Sequence, residues 1–297
     1  MRASRGSASD VLFEEQAHAY LAYSRRVHSP ATHRTLRALV ERKLVPWFEG
    51  RLLHAIRAAD IERLLAAHPD LSPASRNRIV GALSALLQYA RRLGHVHRNV
   101  AAVVPREREE VAALPLVGLA DQRRLLGGVP AEPRLLFLAA LDTGARLGEL
   151  LRLTWADVDW EQGGLLIRRS KSRRPRMVRT SRRLAAALRV RADREGAAAT
   201  QRIFESGIGA DGALRWSWRK RFKRAAAAIG QPNLRIHDLR HLAAINLVRA
   251  GVDLPTVQAH LGHLHLVSTL RYAAYADETA SGRAARVLDR LHGEDAD

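Results

Sequence analysis

Apolar residues recur at helical spacing through the first hundred positions. In residues 10–27 the side chains Leu12, Phe13, Ala17, Tyr20 and Leu21 fall on one face, which predicts a helix. Ser29-Pro30 places an N-cap residue before a proline at the first helical position. It opens a second helix, predicted to stop shortly before Pro46. A short helix is expected near 58–67. Ser72-Pro73 repeats the start signal for a long helix through Leu93, with Ile79, Leu83, Leu86 and Leu87 on one face. Four such helices make a small bundle. The charge run Arg106–Glu110 reads as a solvated linker.

Beyond it the pattern is mixed. A helix over 132–142 ends at Thr143-Gly144, and another starts near Ala145. The stretch 164–180, GLLIRRSKSRRPRMVRT, predicts two strands, Leu165–Arg169 and Met177–Thr180, around a basic turn. Helices are expected over about 181–195, 213–229, 237–250 and 254–261, with a final one over about 278–291 before the acidic tail. The fold class is therefore mostly α with a small antiparallel β-sheet. The expected division is a helical domain over 8–104, a linker over 105–114 and a mixed α/β domain over 115–297.

Composition narrows the partners. The 297 residues are 47% hydrophobic, which supports a buried core. The formal net charge is +19, an excess that folding does not require and that implies a polyanion, with nucleic acid the first choice. An anionic membrane would call for a basic amphipathic helix or a lipidation signal, and neither is present. The absence of cysteine excludes disulfides, thiolate metal ligands and a cysteine nucleophile. The start MRASRGSASD has no signal-peptide core, and no run reaches the ~18 apolar residues of a membrane span, so a cytoplasmic protein is expected. Arginine supplies most of the positive charge; lysine occurs only at positions 43, 171, 220 and 223, so its placement is informative.

Three segments carry chemistry. Thr143-Gly-Ala-Arg-Leu-Gly-Glu149 sets Arg146 near a helix start, where its guanidinium can fork onto a phosphate, with Glu149 on the same face to orient it. In His237-Asp-Leu-Arg-His241, residues 237 and 240 are three apart and project together; an imidazole beside a guanidinium suits a bound anion better than a core. In Ala259-His-Leu-Gly-His263, Gly262 is a C-cap that leaves His263 just past a helix end. Ser268 is then expected to cap a helix carrying Tyr272. A tyrosine on an amphipathic helix is, by itself, equally a packing residue.

Taken in order, TGARLGEL, the lysine in RSKSRRPRMV, HDLRH, LGH and a tyrosine nine residues after His263 resemble the tyrosine recombinase (phage integrase) family. The motifs span about 115 to 280. The N-terminal helices are similar in size and position to the family's SAM-like core-binding domain. The resemblance implies a site-specific recombinase, a DNA strand-transferase that needs neither metal nor ATP. It gives Arg146 and Arg240 the scissile phosphate, and His237 a hydrogen bond to it and the tyrosine proton. His263 would donate a further hydrogen bond, Lys171 would act as general acid, and Tyr272 would attack to give a 3′-phosphotyrosyl bond. The surrounding cations are expected to favour the phenolate. The family also implies a C-shaped clamp on double-stranded DNA at specific sites, and a homotetramer passing through a Holliday junction. A monomer or dimer is expected in free solution, and the final helix is expected to dock on a neighbouring subunit. The segment before residue 10 leaves little room for the arm-binding domain that some integrases carry, which favours a simpler, two-domain recombinase; the resemblance implies a bacterial, archaeal or phage-encoded protein.

Lys171 has its own argument, since a general acid must titrate and arginine does not. The surrounding Arg169, Arg173 and Arg174, and Arg219 and Lys220 further on, are candidate DNA contacts. Trp216 and Trp218 beside the latter pair are packing residues or further DNA contacts, and Tyr20, Tyr23, Tyr89 and the remaining tryptophans are packing residues. Other readings stay open: a zinc site using His237, His241, His260, His263 and His265; a type IB topoisomerase; a DNA-binding protein without catalysis; and Tyr275 in place of Tyr272.

Overall fold

The computed structural model describes residues 10–109, 114–168, 175–209 and 214–276, together with Gly282, Ala285 and 287–289. It divides into two compact units, Met1–Ala112 and Ala113–Asp297.

The elements described in the first unit are helices. Helix α1 spans Phe13–Val27, α2 Pro30–Leu39, α3 Val45–Phe48, α4 Ala58–Ala66 and α5 Pro73–Arg92. The start signals act as read: the Ser29 hydroxyl accepts from the Thr32 N–H, and the Ser72 hydroxyl accepts from the Ser75 N–H. The stop before Pro46 does not occur. A π turn over Val40–Leu44 joins α2 to α3, so Pro46 lies in the first turn of a new helical segment, where an absent N–H costs nothing. Val40, Leu44 and Phe48 are fully buried, and this burial carries the chain through the proline. The run at 106–109 is exposed yet not a free linker. Arg76 pairs with Glu107 at 2.7 Å, and the Asn77 amide donates to the Glu107 carbonyl and the Glu109 carboxylate, both at 2.9 Å. Those bonds tie the segment to the start of α5.

In the second unit α6 (Leu119–Gly127) is followed by α7 (Ala131–Thr143) and one turn, α8 (Leu147–Leu150). Helix α7 is apolar almost all round and lies in the core against α6 and two later helices, α9 (Arg182–Glu195) and α11 (Asp238–Arg249). A three-stranded antiparallel sheet runs in the order β1 (Val158–Asp159), β2 (Gly164–Ile167), β3 (Arg176–Arg179). The two predicted strands are β2 and β3, slightly displaced; β1, only two residues long, is too short to leave a period-two pattern. Helices α10 (Trp216–Ala228), α12 (Leu254–Leu261) and α13 (Val267–Leu270) complete the described fold. Of the segment 278–291, the described residues Gly282, Ala285 and 287–289 are helical. No described helix is long and apolar enough to cross a membrane.

Tyr272 does not lie on a helix capped by Ser268. Ser268 falls inside α13, and Tyr272 follows it on tight turns: its N–H donates to the Thr269 carbonyl at 2.9 Å, three residues back. Tyr272 packs with Ala244, Ile245 and Val248 of α11, and Thr269 is buried with its hydroxyl on His263, an arrangement made by turns in place of the expected amphipathic helix.

Candidate active site

The site begins at the end of α7. Gly144 adopts a left-handed conformation (φ 57°), and a β-carbon there would run into the Leu261 side chain, so the corner demands glycine twice over. The buried Thr143 hydroxyl accepts from the Ala145 N–H at 3.1 Å and steers the chain out of the corner. Arg146 then caps α8. Its N–H and its Nη1 donate to the two oxygens of Glu149, each at 3.0 Å.

Glu149 serves a second arginine. Arg176, the first residue of β3, donates from Nη2 to Glu149 Oε2 at 2.9 Å. Burial alone would push the Glu149 carboxyl up, but the hydrogen bond and charge of Arg176 and the hydrogen bonds of Arg146 hold it below the usual range. Arg240, on the first turn of α11, is 4% exposed and donates to the Gly144 carbonyl. Loss of solvent, and then the neighbouring Arg146, bring its pKa down to about 10. In this cluster three buried guanidinium nitrogens, Nη2 of Arg240 and Nε and Nη1 of Arg176, have no hydrogen-bond partner among the described residues. Three cations and one carboxylate leave an excess of two positive charges here. The cluster is built for an anion.

Two histidines and the tyrosine border these arginines. His263 follows the left-handed Gly262 (φ 68°), which leaves room for the Arg176 side chain where any β-carbon would collide with it. Its Nδ1 is 2.8 Å from the Thr269 hydroxyl, and its backbone is held at both ends by Gln258. Burial, then Arg240 and Arg146, push its pKa down to about 4. His237, at the N-cap of α11, is also lowered, by burial and then by Arg240. The Tyr272 ring lies nearly parallel to that of His263, with centroids 6.4 Å apart. Its hydroxyl is 2.7 Å from Nδ1 of His241, which stands edge-on to His237 at 5.2 Å.

The structure thus brings Arg146, Glu149, His237, Arg240, His263 and Tyr272 together. Arg219 and Lys220 are not part of this cluster. They lie on the exposed face of α10, where Arg219 Nε donates to the Leu214 carbonyl and the Lys220 ammonium covers the Trp216 ring. Trp218 is core, whereas Trp216 is 70% exposed. Arg169, Lys171, Arg173 and Arg174 lie outside the described residues. Arg240 and Arg271 do favour the Tyr272 phenolate, as expected, but they do not set the net direction. Burial raises the phenol's pKa and outweighs the opposing pull of Arg240 and Arg271, because at 1% exposure the anion would lose its hydration.

Two members were not found from the sequence. Arg176 hides in an arginine-rich run, yet it shares a strand face with buried Val178, and that period-two relation was the available signal. His241 drew notice only as a zinc candidate. Among the described residues no group of three acidic or histidine side chains is arranged to hold a metal.

Fold and site define a DNA strand-transferase with a tyrosine beside an arginine-rich pocket. Residues 123–279, more than half the chain, match the Phage integrase family, and the protein belongs to that family, the tyrosine recombinases. It is 28% identical over 235 residues to tyrosine recombinase XerA of Thermococcus kodakarensis, covering 74% of this chain and 78% of the relative. It is 26% identical to a tyrosine recombinase of Thermosipho africanus, over 87% of this chain and 93% of the other. A lambda integrase dimer bound to a COC′ core site superposes with a TM-score of 0.71 at 20% identity, covering 90% of this chain and 78% of that one.

Proposed function

We propose that this recombinase cuts and rejoins duplex DNA at specific sites through a 3′-phosphotyrosyl bond at Tyr272. The observation that carries the reading is the buried arginine pocket, with its excess of positive charge and unpartnered guanidinium nitrogens, directly beside a tyrosine. Arg146 and Arg240 hold the scissile phosphate and stabilise the charge that grows on its oxygens. Glu149 keeps Arg146 in place. His263, its Nδ1 occupied by Thr269, presents Nε2 to a phosphate oxygen, and His237 hydrogen-bonds the phosphate and relays the tyrosine proton. The phenolic oxygen attacks phosphorus as the bond to the 5′ oxygen breaks, and Lys171 protonates the departing oxygen. The linkage conserves the phosphodiester bond energy, so rejoining is the same reaction in reverse.

Strand exchange then proceeds through a Holliday junction in a homotetramer on two double-stranded DNA sites, assembled from monomers or dimers. Related folds include a lambda integrase tetramer bound to a Holliday junction, which supports this reading. Helices α1–α5 form the core-binding domain, and the basic hairpin around Lys171, with Arg169, Arg173 and Arg174, together with Arg219 and Lys220, contacts DNA. The test is a nicked duplex carrying the chromosomal sequence that flanks the coding region. Native protein forms a covalent adduct, whereas Tyr272→Phe binds the duplex and forms none. An adduct with Tyr272→Phe would move the nucleophile elsewhere, with Tyr275 the next candidate.

A further inference from the structure

The Tyr272 hydroxyl does not face open solvent. Tyr272 is 1% exposed, and its oxygen lies 2.7 Å from Nδ1 of His241, itself 8% exposed. The two rings are inclined at 49° with centroids 5.9 Å apart, so the contact is made edge to edge through the polar atoms. His241 directly follows Arg240 on α11, and this places one turn of helix under both the phosphate pocket and the tyrosine.

The direction of the hydrogen bond follows from what each group could do otherwise. Among the described residues the phenolic O–H has no other acceptor, and a buried donor without one is costly. Tyr272 therefore donates and Nδ1 of a neutral His241 accepts. A neutral imidazole buried among cations is a poor proton acceptor for a phenol, so it serves as an anchor and not as a base.

A phenolic oxygen sealed in this way cannot reach a phosphate arriving from solvent. We infer that His241 is a positioning residue that holds Tyr272 in a withdrawn seat, and that release of the Tyr272–His241 hydrogen bond precedes attack. This rests on the reading of Tyr272 as nucleophile. It adds that His241 restrains the reaction and takes no part in the chemical step.

Three measurements on the full-length protein test it. Tetranitromethane nitrates accessible phenols, and peptide mapping reads each tyrosine separately. Tyr272 is expected to be protected relative to Tyr275 in the native protein, nitrated in His241→Leu, and protected again in His241→Asn, whose side-chain oxygen can replace Nδ1 as acceptor. On the nicked duplex, His241→Leu is expected to form adduct about 2- to 10-fold faster than native, the range set by loss of one hydrogen bond, with unchanged DNA affinity. Slower adduct formation by a folded His241→Leu protein, or Tyr272 protection unchanged in it, overturns the inference. Should His241→Leu fail to fold, nitrogen NMR of the native protein decides: an unprotonated Nδ1 that shifts in Tyr272→Phe supports the seat, and a protonated Nδ1 overturns it. An adduct formed by Tyr272→Phe would defeat the nucleophile assignment, while the nitration and NMR results would still judge the seat.

Discussion

Arg176 reaches across 27 residues of sequence to donate to Glu149 at 2.9 Å, and the same carboxylate holds Arg146. One buried acid therefore fixes a strand arginine and a helix-cap arginine in a single pocket. Removing one partner of a buried pair costs about 3–5 kcal/mol, because the other charge is left without compensation. Glu149→Gln is expected to lower stability by an amount of that order and to abolish adduct formation. Adding Arg176→Leu should recover part of the stability, since it removes one of the stranded cations. A double-mutant cycle by chemical denaturation measures the coupling, and strict additivity would show that the pair does not act as one.

Lys171 is expected to behave as an acid and not merely as a charge. Lys171→Ala should slow adduct formation by roughly 10²–10⁴-fold, the usual range for general acid catalysis. Lys171→Arg should not restore it, because a guanidinium does not release its proton near neutral pH. A substrate with sulfur at the bridging 5′ position needs no protonation of the leaving group. It should restore the rate of both variants, and failure to do so would remove Lys171 from this role.

Gly144 is a backbone requirement. Its left-handed conformation costs an alanine about 1–3 kcal/mol before any contact is considered, and the new methyl would also strike Leu261. Gly144→Ala should therefore lower the denaturation midpoint clearly. It should lower adduct formation further still, because the Gly144 carbonyl that receives Arg240 moves with the corner. A variant as stable as the native protein would contradict this packing.

Acid should weaken the fold in two stages. His241 and His263 have pKa values of about 4 in the folded chain, against about 6.5 for a free imidazole. As pH falls, the unfolded chain takes up these protons first. The stability they contribute is complete above about pH 6.5 and is lost as pH drops toward 4. Below that, Asp60 adds a further loss. The hydrogen bond from Arg51 holds its carboxyl at about 2, so this contribution disappears as pH falls from the ordinary carboxylate range of about 4. Thermal melts between about pH 7 and pH 4 should show a falling midpoint, with a shallower slope in His263→Asn. A midpoint that rises on acidification would refute the burial of these rings.

The sequence by itself determined whatever is set by short-range spacing. Ser29 and Ser72 start their helices because a side-chain oxygen can reach an N–H two or three residues on. Gly144 and Gly262 end theirs because only glycine enters the left-handed region without cost. Arg146 with Glu149, and His237 with Arg240, are three residues apart and so share a helical face wherever the helix goes. These relations are local, and they survive without knowledge of the rest of the chain. The tertiary structure decided what depends on distant neighbours. It chose Arg176 from a crowd of arginines by pairing β3 with β2, which turned that side chain toward Glu149. It carried the chain past Pro46 because Val40, Leu44 and Phe48 had a core to enter. It set Tyr272 on a turn against α11, where loss of water outweighs the nearby cations and reverses the direction expected for the phenol's pKa. Burial is a property of the assembled chain, so neither that reversal nor the hydrogen bond to His241 could be read from spacing alone.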